Sequence, residues 1–236
     1  MSTIAANLQA VEATIAAAAQ AAGRRRSSIQ LLAVSKTFPM EHVLEAIAAG
    51  QRAFGENYLQ EAVEKIAAVA RAQPAQAGEG IEWHFIGPIQ SNKTRPIALN
   101  FAWVHTVERL KIAQRLSEQR PPELGPLNVC LQVNISGEAT KSGAMPHELP
   151  ELARQVAALP NLRLRGLMAI PEAQTDPQRQ RAAFARLRVL ADKLRGNGLA
   201  IDTLSMGMSG DMAAAIAEGA TIVRVGSAIF GARQYD

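Results

Sequence analysis

The chain has 236 residues, a formal net charge of +4 and one cysteine, and 48% of its residues are hydrophobic. This length is enough to bury a core without disulfides and suits one (β/α)8 barrel, so we expect a single domain over residues 1–236. The composition excludes a disordered chain, and no segment reaches the length of about 20 apolar residues that a membrane-spanning helix needs. The basic residues are interspersed with acids, as in 61–65, and lack the interleaved aromatic residues of a nucleic-acid-binding surface.

Strands and helices alternate along the chain. An amphipathic helix is predicted first, with Ser2 or Thr3 as its N-cap and Gly23 at its end. Short aliphatic strands are then predicted at residues 29–35, 52–55, 82–86, 102–106, 127–134, 164–169, 203–206 and 221–225. Helices are predicted at residues 39–50, 59–72, 108–119, 147–158, 177–195 and 212–218, and only a short turn is predicted after the third strand.

This order of elements predicts an α/β fold, a (β/α)8 TIM barrel with an extra N-terminal helix. Strands that alternate with helices form parallel sheets, and eight is the number of strands that closes this barrel. An open, doubly wound sheet is the alternative. It is disfavoured because no Gly-x-Gly-x-x-Gly turn follows the first predicted strand, where a dinucleotide-binding fold carries its phosphate loop.

The cysteine and the N-terminus bear on the compartment. Cys130 lies in the apolar run 127–133 and has no second cysteine to pair with, so we expect a small buried hydrophobe in a reducing environment. The basic cluster 24–26 follows the alanine-rich stretch, which reverses the order found in a signal peptide. A cytoplasmic protein is the resulting expectation.

The first predicted strand ends in a lysine at the end of the barrel where active sites form. Lys36 shares a strand face with Leu32 and Val34, and these aliphatic neighbours suggest that the face points into the barrel. Partial burial favours the neutral amine, which is the form that attacks an aldehyde. The alternative is a lysine that extends from the strand end into solvent.

The last two strands are followed by loops suited to a phosphate group. In 204–211 and 221–227, Ser209, Gly226 and Ser227 offer hydroxyls and backbone amides at the place where such barrels bind phosphate, and Ser209 is also a candidate helix cap. The alternative is that these residues only form turns and caps. Arg224 shares a strand face with Gly226, so its guanidinium is expected to point into the barrel, where a charged group needs a specific partner. A pyridine nitrogen would be a suitable partner. The alternative is an outward Arg224 paired with an acid.

Four longer motifs, at 33–37, 54–58, 84–93 and 226–231, carry a resemblance over nearly the whole chain. With them the sequence resembles the pyridoxal phosphate homeostasis protein family, which is similar to the barrel domain of bacterial alanine racemase. The resemblance implies pyridoxal 5′-phosphate as cofactor, bound as a Schiff base on Lys36. It also implies roles for the following residues: phosphate contacts from Ser209, Gly226 and Ser227, Arg224 at the pyridine nitrogen, and Asn57, Ser205 and Met206 near the ring.

The same resemblance leads us to expect a further polar group near the open face of the cofactor. It comprises His84, Gln90, Asn92 and Lys93, although a structural role for His84 remains an alternative. Lys141 is a candidate second acceptor of the cofactor, and the alternative is an ordinary solvated loop lysine. Gly210 departs from the pattern of that family, in which an acidic or amide residue is expected at this position.

These features favour a cofactor carrier over an enzyme. A two-base racemase needs a second catalytic group, which racemases of this type take from an additional β domain, and this sequence ends at Asp236. We therefore expect a monomer that buffers pyridoxal phosphate or delivers it to dependent apoenzymes. A slow amino-acid racemase is one alternative and a lysine-dependent aldolase is another. A serine hydrolase is disfavoured because 207–211 lacks the closing glycine of a nucleophile elbow.

Overall fold

The computed structural model describes residues 2–73, 80–137 and 142–232. Within these residues, eight parallel strands close into a barrel in chain order, and the eighth strand pairs with the first. The predicted (β/α)8 barrel with an extra N-terminal helix is thereby confirmed. The strands are β1 Gln30–Val34, β2 Ala53–Glu56, β3 Glu82–Phe85, β4 Trp103–Val107, β5 Leu127–Gln132, β6 Leu162–Met168, β7 Thr203–Ser205 and β8 Ile222–Val225.

Helices surround the barrel and connect successive strands. They are α1 Thr3–Ala21, α2 Met40–Ala48, α3 Leu59–Ala72, α4 Thr94–Asn100, α5 Leu110–Gln119, α6 Leu149–Ala157, α7 Pro177–Gly196, α8 Met212–Ala217 and α9 Ser227–Phe230. The first helix lies outside the βα repeat and packs against α8 and α9. Ser2 is its N-cap, and its Oγ accepts a hydrogen bond of 3.3 Å from the backbone N–H of Ala5.

Two short helices were not predicted. The segment after β3 was expected to be a short turn, but it forms a 3-10 turn at Ser91–Lys93 and then α4. Pro96 lies in the first turn of α4, where its missing N–H costs no helical hydrogen bond. The second unpredicted helix, α9, has only four residues and begins directly after β8. Both are too short for a hydrophobic period to be visible in the sequence.

The core has two layers because inward and outward side chains alternate along each strand. The outer layer joins the strands to the helices. The inner layer fills the barrel with the buried side chains of Leu32, Ala53, Trp103, Cys130, Met168 and Ile222. Cys130 is fully buried, as the sequence predicted, and burial raises the pKa of its thiol to about 12.

Neither a membrane span nor a metal cluster is found in the described part of the chain. None of its helices is both long enough and apolar enough to cross a bilayer. In the same three ranges, His, Cys, Asp and Glu side chains do not assemble in groups of three that would hold a metal ion.

Candidate functional site

A cavity of about 270 Å³ opens at the carboxyl end of the barrel. Its walls come from the ends of β1, β2, β3, β6 and β8 and from the loop after β7. Six of the predicted site residues line it together: Lys36, Asn57, Ser209, Arg224, Gly226 and Ser227. The remaining lining residues are apolar, namely Val34, Ile86, Met168, Ile170 and Met208. The pocket therefore combines an amine, a guanidinium, an amide and two hydroxyls within an apolar wall.

Lys36 lies on a turn that is held from behind by buried side chains. The residue itself is half-buried at the end of β1. On one side, the Ser35 hydroxyl donates a hydrogen bond of 2.7 Å to Oε1 of Glu56. On the other side, Thr37 has a φ of 67° and its backbone N–H donates a bond of 2.7 Å to Oε1 of Glu61. A non-glycine residue with positive φ is held in place by its surroundings, here by this hydrogen bond.

The ammonium of Lys65 joins these contacts into one cluster. Its Nζ donates to the Ser35 carbonyl at 2.8 Å, to Glu56 at 2.7 Å and to Glu61 at 2.8 Å. The Lys65 side chain is 5% exposed and that of Glu56 is fully buried. Burial raises the pKa of Glu56, and the adjacent Lys65 cation opposes that shift. The sequence did not identify this cluster, because Glu61 and Lys65 have the i, i+4 spacing of an ordinary surface pair.

The loops after β7 and β8 form one wall of the pocket. Ser209 and Ser227 are exposed at the pocket rim, and Ser227 begins α9, whose first N–H groups have no intrahelical acceptor. A Cβ at Gly226 would lie 3.2 Å from the Val34 carbonyl oxygen, so a side chain here would press on β1 and narrow the pocket. Asp211 occupies the N-cap position of α8, so the alternative use of Ser209 as that cap is not found.

Arg224 points into the barrel, so the alternative of an outward ion pair is excluded. Its side chain is buried on β8, where Nη1 donates to Oγ of Ser205 at 2.9 Å and Nη2 to the Ala169 carbonyl at 3.1 Å. Burial lowers the pKa of Arg224 to about 10, which leaves the guanidinium charged at neutral pH. It therefore presents a donor, never an acceptor, to the pocket that it lines.

Asn57 contributes a polar atom without a protein partner. Its Oδ1 is buried and has no hydrogen-bond partner among the described residues. The backbone of Asn57 is pressed against Gly87, where a Cβ would lie only 2.1 Å from the Asn57 carbonyl oxygen. A buried acceptor without a partner is costly in a folded protein, so this atom marks a place where a ligand donor would be favourable.

Three of the predicted site residues lie away from the pocket wall. His84 is fully buried inside the barrel, below the pocket and not at its open face. Its position follows from strand alternation, because Ile86 lines the pocket and His84 lies one layer deeper on the same face of β3. Ser205 is behind Arg224, and Met206 points outward into the core between strands and helices.

The other expected groups at the open face are also outside the lining. Gln90 is exposed directly before the 3-10 turn that precedes α4, and Asn92 and Lys93 are exposed within that turn. Lys141 lies outside the described residues. Among the described residues that line the pocket, the ionisable side chains are those of Lys36 and Arg224.

Comparison with known proteins agrees with this architecture. Residues 6–234 match the family model described as alanine racemase, N-terminal domain, so fold and pocket define a barrel of that class. The pyridoxal phosphate homeostasis protein of Pseudomonas aeruginosa is 64% identical over 235 residues, covering 100% of this chain and 98% of that protein. The homeostasis protein of Escherichia coli (strain K12) is 55% identical, with 100% and 99% covered. This chain belongs to the pyridoxal phosphate homeostasis protein family.

A solved structure is also similar over the full barrel. It is that of PipY from Synechococcus elongatus with PLP bound, with a TM-score of 0.82, 35% sequence identity and coverage of 97% of this chain and 100% of that chain.

Proposed function

We propose that this chain holds pyridoxal 5′-phosphate as a Schiff base on Lys36 and buffers or delivers it inside the cell. The observation that carries the proposal is that one pocket contains a half-buried amine, a buried guanidinium and a wall of hydroxyls and amides. The homeostasis proteins to which the chain is similar, and the PLP-bound PipY structure, support the same cofactor.

The residues fit three of the polar parts of this cofactor, the aldehyde, the phosphate and the ring hydroxyl. The Lys36 amine suits the aldehyde, and the loop residues Ser209, Gly226 and Ser227 suit the phosphate. The unpartnered Oδ1 of Asn57 is an acceptor in the same pocket, suited to a ligand hydroxyl. When bound, the cofactor supplies an electrophilic carbon and an electron-withdrawing ring.

Residues of the pocket would limit the reactivity of the bound cofactor. Arg224 remains protonated and can only donate, so it stabilises an unprotonated ring nitrogen and weakens the ring as an electron sink. The turn around Lys36 keeps its amine at the pocket mouth. The apolar wall formed by Val34, Ile86 and Met168 limits water around the amine.

A holding role is favoured over amino-acid racemisation. Two-base racemisation needs a second acid–base group facing the lysine across the substrate. Among the described residues that line the pocket, Lys36 and Arg224 are the ionisable side chains, and Arg224 is a poor base. A slow racemase activity would therefore depend on water or on a weak base.

Delivery to other proteins requires an accessible cofactor. Ser209 and Ser227 are exposed at the rim, so the phosphate end of the pocket is open to solvent. We take the working unit to be a monomer. We place this monomer in the cytoplasm, where pyridoxal phosphate-dependent apoenzymes would receive the cofactor.

The test compares wild type, Lys36→Ala and the matched surface variant Lys93→Ala. After loading and desalting, wild type and Lys93→Ala are expected to retain a visible absorption band and to activate an added apoenzyme, whereas Lys36→Ala retains neither property. Racemisation of a panel of amino acids is measured on the same samples, and sedimentation gives the mass. Rapid turnover by wild type, or equal cofactor retention by Lys36→Ala, would contradict the proposal.

A further inference from the structure

A line of four buried polar side chains leads from the pocket into the barrel. Arg224 Nη1 donates to Ser205 Oγ at 2.9 Å, and this oxygen lies 2.7 Å from Nδ1 of His105. Nε2 of His105 in turn lies 2.9 Å from Nδ1 of His84. Arg224 is 4% exposed and the other three residues are fully buried. We name these four residues the interior chain.

The chemistry of arginine fixes the direction of every hydrogen bond in the interior chain. A guanidinium can only donate, so Ser205 Oγ accepts from Arg224 and has its own hydrogen to place. The other partner of this oxygen in the described structure is His105 Nδ1. If Nδ1 carried a hydrogen, the buried Ser205 hydroxyl would donate to no acceptor among the described residues, which is costly, so Nδ1 is assigned as the acceptor. His105 then carries its hydrogen on Nε2 and donates to Nδ1 of His84. His84 consequently carries its hydrogen on Nε2.

Burial is consistent with one hydrogen on each ring. Burial lowers the pKa of His84, and it lowers the pKa of His105 well below its usual value, with the neighbouring His84 ring and the Arg224 cation acting in the same direction. Both imidazoles are therefore neutral at neutral pH. A neutral imidazole is a donor at one nitrogen and an acceptor at the other, as the one-directional chain requires.

The interior chain ends near a carboxylate. Nε2 of His84 lies 3.7 Å from Oε2 of Glu82, too far for a hydrogen bond but close enough for attraction. The same Oε2 accepts a bond of 3.0 Å from the side-chain amide of Gln30. Glu82 is the first residue of β3, so the anion lies at the end of the barrel opposite the pocket. Donors thus point from the Arg224 cation towards the Glu82 anion throughout the interior.

We propose that Ser205, His105 and His84 are positioning residues that hold the Arg224 guanidinium in one orientation, with both histidines as Nε2–H tautomers. The proposal deepens the function proposed above, in which Arg224 faces the pyridine nitrogen. Ser205 and the Ala169 carbonyl fix two of its nitrogens. A guanidinium held at two points cannot turn, so its remaining N–H groups keep a constant direction relative to the pocket.

The first experiment reads the tautomers without cofactor. Multiple-bond proton–nitrogen NMR of the unloaded protein labelled with nitrogen-15 distinguishes Nδ1–H from Nε2–H histidine. The signals are assigned with His84→Gln and His105→Gln. Both residues are expected as neutral Nε2–H tautomers. An Nδ1–H tautomer or a cation at either position would overturn the one-directional chain.

The second experiment tests whether the interior chain orients Arg224. In unloaded wild type, the Arg224 guanidinium is expected to show separate, slowly exchanging Nη signals, because rotation about its bonds is blocked. Ser205→Ala is expected to average these signals, whereas Ser117→Ala, which changes a buried serine on α5 outside the interior chain, leaves them separate. Averaged signals in wild type, or identical spectra for the two variants, would overturn the positioning role.

A third measurement separates this proposal from the proposed function. With pyridoxal phosphate, Ser205→Ala is expected to bind about tenfold more weakly than Ser117→Ala and to shift the visible absorption maximum. If wild type binds no pyridoxal phosphate, the proposed function fails while the NMR results still decide the orientation of Arg224. If wild type binds but the two variants have equal affinities and spectra, the link from the interior chain to the ring nitrogen is refuted.

Discussion

The carboxylate of Glu61 accepts a hydrogen bond of 2.7 Å from the backbone N–H of Thr37, the residue that follows Lys36. The turn that carries Lys36 is therefore fixed by a helix that lies outside the barrel, since Glu61 belongs to α3. The Lys65 ammonium strengthens this connection by bonding to both Glu61 and the Ser35 carbonyl. The position of the Lys36 amine thus depends on residues that do not line the pocket.

Loss of the Glu61 carboxylate is expected to weaken cofactor retention. Glu61→Ala removes the acceptor for the Thr37 N–H and one partner of Lys65, which should destabilise the turn by about 1–3 kcal/mol. Loading with pyridoxal phosphate and desalting measures the effect. Glu64→Ala, an exposed site on the same helix, is the control and should retain cofactor like wild type. Equal retention by the two variants would show that the turn does not need Glu61.

Removal of the Lys65 cation alone is expected to lower the stability of the fold more than removal of both charges of the Lys65–Glu56 pair. Lys65→Met leaves the fully buried Glu56 without its cation and should lower the free energy of unfolding by about 3–5 kcal/mol. The double variant Lys65→Met, Glu56→Gln should recover most of this loss, because no unpaired charge remains. Urea unfolding of the three proteins measures the difference. A single variant that is no less stable than the double variant would contradict the buried ion pair.

Gly87 is expected to tolerate no side chain. In Gly87→Ala the new Cβ would lie 2.1 Å from the backbone oxygen of Asn57, so the ends of β2 and β3 must separate. We expect a loss of about 1–3 kcal/mol in stability together with weaker cofactor binding, because Asn57 lines the pocket. Gly196→Ala, where a Cβ meets no atom within 4 Å, is the control. Unchanged affinity and stability in Gly87→Ala would show that neither the fold nor cofactor binding requires the close approach of Gly87 to the Asn57 backbone.

The contribution of Glu82 to stability is expected to decrease in acid. Attraction to the nearby Nε2–H of His84, followed by the hydrogen bond from Gln30, lowers the pKa of Glu82 from 4.5 to about 2 in the folded protein, against the opposing effect of partial burial. A lowered folded-state pKa stabilises the protein above pH 4.5, and this stabilisation is lost as the pH falls towards 2. The side chain is 43% exposed, so solvent screens the effect.

Unfolding of wild type and Glu82→Gln between pH 6 and pH 3 tests this expectation. The advantage of wild type in free energy of unfolding should be constant near pH 6 and should shrink below about pH 4.5. A difference that is the same at pH 6 and at pH 3 would show that the folded protein does not favour ionised Glu82.

Local sequence patterns were sufficient to predict the barrel and most of the pocket. Aliphatic strands of period two and helices of period 3.6 identify the repeating units, and strand ends identify Lys36 and Arg224 as pocket residues. The same alternation, applied strictly, would have placed Met206 outside the pocket, since it is one residue from the inward Ser205. His84 lies on the same strand face as the pocket residue Ile86 but two residues earlier, which places it one layer deeper in the barrel.

Contacts between distant segments could not be predicted in this way. The pair Glu61 and Lys65 has the spacing of a solvated helix face, and Glu61 is indeed 33% exposed. Lys65 is buried because its ammonium bonds to the Ser35 carbonyl and to the buried Glu56, which come from other segments of the chain. The His84 and His105 contact joins neighbouring strands 21 residues apart, at a depth that depends on the register of β3 and β4. Neither arrangement has a local signature in the sequence.

The proposed function depends on a covalent bond between the Lys36 amine and pyridoxal phosphate. Borohydride reduction of the loaded protein, followed by digestion and mass spectrometry, tests it most directly, with Lys36→Ala treated in parallel. A pyridoxyl mass is expected on the Lys36 peptide of wild type, with no labelled peptide in Lys36→Ala. A wild-type protein without label on Lys36, or with its principal label on another lysine, would refute the proposed Schiff base.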